Sequence, residues 1–187
     1  MSLDIAKKGI VSTFERAVSE NIEYVEILFH GGEPFMAYKR IREICEWLWA
    51  REWPVNYICY ATTNGTLIHG EIKEWLLKNK HRFCLGLSLD GTRDMHNRNR
   101  SNSYEKIDIA FFRDNWPVQG VKMTPSPGTL ASLSDGIIHI HELGFCRNNC
   151  TFATGIDWDK DEHGNSVDYK KILQEQLMIL AMYYLKH

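Results

Sequence analysis

Apolar and polar positions along this chain switch between helical and strand spacing from one segment to the next. Ile10, Phe14, Ala17 and Val18 recur at helical spacing and predict an opening helix. Val25, Ile27 and Phe29 then alternate, as a short buried strand does. Ile41, Ile44, Cys45 and Leu48 mark one face of a second helix, and a strand follows from about Val55 to Thr63. Ile68, Ile72, Trp75 and Leu76 predict a third helix, and a third strand runs from about Arg82 to Leu89. A polar loop is expected from Thr92 to Ser103, then a helix ending near Trp116-Pro117. A strand from about Val118 to Thr124 leads into the turn Pro125-Ser126-Pro127-Gly128. A helix from about Ser132 stops at Gly144, a C-cap residue, and a short strand is expected near Cys150 to Ile156. An acidic loop and a last helix follow, with Leu173, Leu177, Leu180, Ala181 and Tyr184 on the predicted inner face.

Helices and strands therefore alternate throughout, at a spacing of about 30 residues that suits parallel strands joined by crossover helices. Right-handed crossovers on one side curl such a sheet into a barrel or part of one. The expected fold is α/β, a partial (β/α) barrel of mostly parallel strands forming one domain over residues 1–187, with no internal linker or low-complexity run.

Three of the expected strands end in similar chemistry: His30-Gly31-Gly32-Glu33-Pro34, Thr62-Thr63-Asn64-Gly65 and Ser88-Leu89-Asp90-Gly91. Paired glycines remove both β-carbons where the chain leaves the sheet, so a ligand can reach the backbone. Glu33 adds a carboxylate suited to a cation, and Pro34 stops the strand. In a parallel barrel the C-terminal strand ends share one rim, so Glu33, Asn64, Ser88 and Asp90 are expected to converge. The stretch His96-Asn97-Arg98-Asn99-Arg100 adds cationic groups able to fork onto a carboxylate. A ligand bearing an ammonium, a carboxylate and a ribose matches this inventory.

Composition narrows the partners. The 187 residues are 44% hydrophobic and 25% charged, an ordinary soluble globular mix. A net charge of −2 points to neither nucleic acid nor an anionic membrane. No apolar run approaches the ~20 residues of a membrane helix, and Asp4, Lys7 and Lys8 interrupt any signal-peptide core. Five scattered cysteines, an odd number, fit a reducing cytoplasm, so the Asn-x-Ser/Thr triplets at Asn64, Asn99 and Asn149 read as chance matches.

Taken together, Gly31-Gly32-Glu33-Pro34, Thr63-Asn64-Gly65-Thr66-Leu67 and Ser88-Leu89-Asp90-Gly91, with His96-Asn97 and Arg100 downstream, resemble the radical S-adenosylmethionine superfamily. The resemblance is to its peptide- and protein-modifying branch, which includes the anaerobic sulfatase-maturating enzymes, and it covers about residues 1–156. It implies that Gly31, Gly32 and Glu33 hold the methionyl ammonium of S-adenosylmethionine and that Ser88 lies near its ribose or methionyl part. It further implies that Asp90 supports that rim, Asn64 lines it, and Arg100 pairs with the methionyl carboxylate.

The chain also departs from the family. The family holds a [4Fe-4S] cluster by Cys-x3-Cys-x2-Cys on the loop after its first strand, whereas here no cysteine precedes Cys45. The one Cys-x3-Cys pair, Cys146 and Cys150, has Ala153 where a third thiolate is needed. The expectation is a core lacking its first strand and cluster loop, ending in mid-helix and without an auxiliary-cluster domain. Such a core leaves the Val25–Phe29 strand as an unpaired edge, so self-association through it is expected.

Weaker constellations have plain readings. Asp157, Asp159, Asp161, His163, Asn165 and Asp168 follow the spacing of a calcium loop, but the sixth position is Glu162 rather than glycine. A solvated acidic loop is expected, with Asp168 as N-cap of the last helix. His139 and His141, two apart on a helix, face different directions. Trp47, Trp49, Trp53 and Trp75 read as core and sheet cover. Lys122 and Thr124 alternate on one strand, as candidate partners for Glu33 or Asp90 or as substrate contacts.

The resemblance implies a fragment of an enzyme that uses S-adenosylmethionine and a [4Fe-4S] cluster to make a 5'-deoxyadenosyl radical and modify a peptide or protein side chain, the chain alone being inactive for want of cluster cysteines. The alternative is a non-catalytic barrel that binds a nucleoside-like ligand or a partner protein.

Overall fold

The structure, a computed structural model, describes residues 1–161 and 163–187. The chain divides into two compact units, Met1–Gly86 and Leu87–His187.

In the first unit, α1 (Leu3–Ser19) begins at Ser2, whose hydroxyl accepts from the Ile5 N–H, and buries Ala6, Ile10, Phe14 and Ala17. Strand β1 (Tyr24–Phe29) buries Val25 between the exposed Tyr24 and Glu26, the alternation expected of a strand covered on one face. Helix α2 (Tyr38–Trp49) follows and turns Tyr38, Ile41, Ile44, Cys45 and Leu48 inward. It returns the chain to β2 (Asn56–Thr63), which pairs with β1 in parallel from Tyr24↔Asn56 to Phe29↔Ala61. Helix α3 (Gly70–Lys78) buries Trp75 and Leu76 and leads to β3 (Phe83–Leu87), giving the sheet order β1-β2-β3. The tryptophans are packing residues: Trp53 stacks on Phe14 at 4.2 Å between ring centres, and Trp49 on Trp75 at 5.5 Å.

In the second unit, α4 (Arg93–Asn99) occupies the stretch expected to be a polar loop. Thr92 caps it, Asp94 sits in its first turn, and its buried residues are Met95 and His96. A single apolar residue gave the stretch no visible helical period, yet the cap and the acidic first turn are helix-start chemistry. Helix α5 (Ile109–Asn115) packs Phe111 and Phe112, and α6 (Leu133–Glu142) buries Leu133, Ile137 and Ile140. Between them lies β4 (Val121–Met123), which pairs in parallel with β5 (Asn148–Cys150). Both strands are shorter than expected, and β5 meets the predicted Cys150–Ile156 segment only at Cys150. Its residues are exposed or half-buried, so it carries no apolar alternation to read. Ser88 forms an isolated parallel bridge with Lys122.

Helix α7 (Tyr169–Tyr184) starts at Asp168, whose carboxylate accepts from the Lys171 N–H. Of the predicted stripe only Leu180 is buried, joined by Gln176, while Leu177, Ala181 and Tyr184 are exposed. The Gln176 side-chain oxygen accepts from the Ser134 N–H at 2.9 Å and hydroxyl at 2.7 Å, which satisfies this buried amide on the inner face.

Among the described residues the strands form one three-stranded and one two-stranded sheet. Neither closes on itself, in keeping with a partial barrel. No described helix is long and apolar enough to cross a membrane.

Candidate functional site

The β1 end is built around Glu33. Its Oε1 accepts from the Phe35 N–H at 3.1 Å and from the Thr63 hydroxyl at 2.8 Å, while Oε2 accepts from the Asn64 N–H at 2.8 Å. One carboxylate therefore caps the short 3-10 turn Pro34–Ala37 and ties the end of β1 to the end of β2. Three of its roughly four acceptor positions are filled by the protein itself. Thr63 is 1% exposed, and its oxygen also accepts from the Gly65 N–H at 3.1 Å. Asn64 folds back on its own turn, its Oδ1 accepting from the Thr66 N–H at 3.0 Å and hydroxyl at 2.8 Å. A β-carbon added at Gly31 or Gly32 would meet nothing within 4 Å. The two glycines thus leave open backbone beside Glu33, at the mouth of a groove of about 530 Å³ lined by Phe29, His30, Pro34 and Ile41 among others.

The second unit has its own arrangement, centred on Asp90, which is 1% exposed. Arg100 forks onto it, Nε donating to Oδ2 at 2.8 Å and Nη2 to Oδ1 at 3.1 Å. The Thr124 N–H donates to Oδ1 at 2.8 Å. The Asp90 N–H donates to Nδ1 of His96 at 3.2 Å, and Nε2 of His96 lies 3.0 Å from the Ser103 hydroxyl. His96 is fully buried, and burial together with the Arg100 charge, against the opposing pull of Asp90, lowers its pKa to about 4. Below this pair, Asn99 donates to the Thr124 carbonyl and accepts from the Ser126 hydroxyl, bracing the loop after β4.

Glu33 and Asn64 are therefore brought together in the first unit, and Asp90 and Arg100 in the second. Ser88, half-buried, stands two residues before Asp90. Two of these residues carry contacts within the chain, and the charge expected of a third changes. Glu33 spends its carboxylate mainly on its own backbone and Thr63. Arg100 turns two donors onto Asp90, a carboxylate of this chain. His96 is neutral, not one of the cationic groups. Thr124 serves Asp90 through its backbone N–H, while the Lys122 side chain is exposed. Thr63 has no role of its own in the sequence reading, and His96 figures there only among the cationic groups. The Thr92 cap was the signal available for His96, because a helix starting there carries His96 back over Asp90.

The remaining constellations are satisfied locally. Asp161 accepts from the His163 and Asn165 N–H groups at 2.9 and 2.8 Å, and its sixth-position neighbour Glu162 lies outside the described residues. His139 meets the Tyr104 hydroxyl, while His141 meets the Phe145 carbonyl and the Tyr184 hydroxyl, so the two do not share a ligand. Among the described residues, no group of three or more His, Cys, Asp or Glu side chains could hold a metal ion. Cys45 and Cys59 are fully buried, and burial reinforced by Cys59 pushes the Cys45 thiol far up.

No protein-family model matches the chain. A cysteine-type anaerobic sulfatase-maturating enzyme of Clostridium perfringens (strain 13 / Type A) is 34% identical over 106 residues, which are 53% of this chain and 28% of that protein. One of Clostridium novyi (strain NT) is 28% identical over 116 residues, 57% of this chain and 30% of that protein. A solved structure, native anSMEcpe with bound AdoMet and Kp18Cys peptide, superposes with a TM-score of 0.71 at 21% identity, covering 94% of this chain and 51% of that one. The chain resembles the anaerobic sulfatase-maturating enzymes in sequence and shares their fold. The aligned part spans less than a third of the curated sulfatase-maturating enzymes it matches.

Proposed function

We propose that this chain supplies the cofactor-binding part of a radical S-adenosylmethionine enzyme that modifies a peptide or protein side chain. Gly31, Gly32, Glu33 and Asn64 in the first unit and Ser88, Asp90 and Arg100 in the second are the residues assigned to S-adenosylmethionine. The likeness to sulfatase-maturating enzymes supports the reaction class, and the AdoMet and peptide bound to anSMEcpe support the cofactor and substrate classes.

The observation that carries the cofactor reading is the open Gly31-Gly32 backbone beside a carboxylate whose position is set by three hydrogen bonds. Backbone carbonyls and the remaining carboxylate lone pair accept from an ammonium. Arg100 is a quarter exposed on its side chain and has donors beyond the two that Asp90 takes, as a carboxylate partner requires. Asp90 fixes the plane of that guanidinium, so less side-chain freedom is lost on binding.

The residues present do not fit a [4Fe-4S] cluster. Cys45 and Cys59 are sealed in the first unit and held protonated at Cys45, Cys84 adds one half-buried thiol on β3, and Cys146 and Cys150 bring two thiols where three are needed. No radical step is therefore assigned to any residue of this chain, whose part is to bind and orient the cofactor.

Calorimetric titration with S-adenosylmethionine tests this reading. Without cluster chelation, the charge-assisted contacts hold the ligand no tighter than about high micromolar to millimolar. Arg100→Ala weakens binding by about tenfold, and Lys73→Ala on α3 leaves it unchanged. Binding indifferent to both Glu33→Ala and Arg100→Ala would overturn the assignment.

A further inference from the structure

We infer that His96 is the positioning residue of the Asp90–Arg100 pair, held as a neutral Nε2–H imidazole that fixes where Arg100 points. For its effect on S-adenosylmethionine the inference rests on the cofactor reading above. For its effect on Arg100 it stands alone.

Hydrogen-bond direction decides the tautomer. The Asp90 backbone N–H can only donate, and it meets Nδ1 at 3.2 Å, so Nδ1 carries no proton. The proton is on Nε2, which donates to the Ser103 hydroxyl at 3.0 Å. The ring packs edge-on against Tyr104, with centres 5.7 Å apart, and no part of His96 reaches solvent. Burial and the nearby Arg100 charge disfavour a second proton, which would break the Asp90 contact.

The same residue acts on both members of the pair. Its ring accepts from the Asp90 N–H, which sets the backbone that carries the carboxylate. Its carbonyl accepts from the Arg100 N–H at 2.8 Å, which sets the backbone that carries the guanidinium. Asp90 and Arg100 are ten residues apart, and His96 is the point where α4 locks one to the other. A buried polar group whose every position is used this way orients its neighbours as well as stabilising them.

The test uses two substitutions of similar polarity. His96→Asn returns an acceptor near the Nδ1 position, while His96→Gln moves it out toward Nε2. The first readout needs no ligand: the Arg100 Nε–H signal in NMR, protected from solvent exchange by Asp90. That protection persists in His96→Asn and is lost in His96→Gln, with both variants folded by circular dichroism. Imidazole nitrogen shifts of the unaltered chain report an unprotonated Nδ1. The second readout is titration with S-adenosylmethionine, which His96→Asn holds within about twofold and His96→Gln weakens by about tenfold. A protonated Nδ1, or equal Arg100 protection in the two variants, overturns the inference. If Arg100 responds as stated but the unaltered chain binds no S-adenosylmethionine, the cofactor reading falls and the positioning role stands. If neither variant folds, His96→Asn has failed to substitute for the ring and the inference fails with it.

Discussion

Arg100 clasps Asp90 through two parallel hydrogen bonds, and the two members of the pair differ sharply in exposure: 25% for the arginine side chain and 2% for the aspartate. The difference predicts unequal effects of removing either partner. Arg100→Ala strands a buried carboxylate on the Thr124 N–H and should cost about 3 kcal/mol of stability. Asp90→Asn leaves an arginine that can still reach water and should cost about 1 kcal/mol. Urea unfolding of both variants checks the order, and equal losses would count against a buried carboxylate at this point.

His96 predicts an acid-sensitive stability. Its folded pKa, lowered to about 4 by burial and Arg100, lies below the ordinary value of 6.5. The unfolded chain therefore binds the proton first as pH falls. The contribution is full above pH ~6.5, declines as pH falls through the window down to ~4, and amounts to at most about 3 kcal/mol. The non-titrating His96→Asn variant should show a shallower loss over that window, and identical pH profiles would refute the prediction.

Glu33 and Thr63 should be energetically coupled. The Thr63 hydroxyl is buried and donates to Glu33 at 2.8 Å, so Thr63→Val removes the donor while keeping the shape. A double-mutant cycle with Glu33→Gln should give a coupling of about 1 kcal/mol. Additive losses would mean that the β1 and β2 ends are held by their backbones alone.

Strand β1 is the outer strand of its sheet, with Tyr24 and Leu28 about half exposed. An outer strand with apolar outward residues pairs readily with another chain. Sedimentation should show concentration-dependent association that Leu28→Lys suppresses. A single species across the concentration range would exclude it.

Anaerobic reconstitution with iron and sulfide should give no stable cluster on this chain, because the exposed thiols Cys146 and Cys150 number two. Stoichiometric iron lost on Cys146→Ala would show that this pair recruits further ligands.

The strand ends show how far sequence reading reached. Gly31-Gly32-Glu33 after an alternating run, and Thr63-Asn64-Gly65 at the end of the next expected strand, mark two strand ends bearing polar groups, and β1 and β2 end there. Helix α4 went unread because its two buried residues, Met95 and His96, are adjacent rather than a turn apart, so no period appears. Strand β5 lies a few residues earlier than expected because its three residues are polar or exposed and carry no apolar alternation to fix its bounds. The inner face of α7 was misjudged because hydrophobicity selected Leu177 and Tyr184, while the side-chain amide of Gln176 found two donors on Ser134.

Sequence by itself determined the alternation of helices and strands, the glycine and carboxylate chemistry at the strand ends, and the want of a third cysteine beside Cys146 and Cys150. Those are properties of single residues and of local spacing. Tertiary structure alone decided which groups face each other. Glu33 reaches Thr63 across thirty residues and Thr124 reaches Asp90 across thirty-four, and no local pattern encodes those meetings. The charge state of His96 was decided in the same way. An imidazole is neutral or cationic according to the burial and the charges around it, and those exist only once α4 has folded back over Asp90.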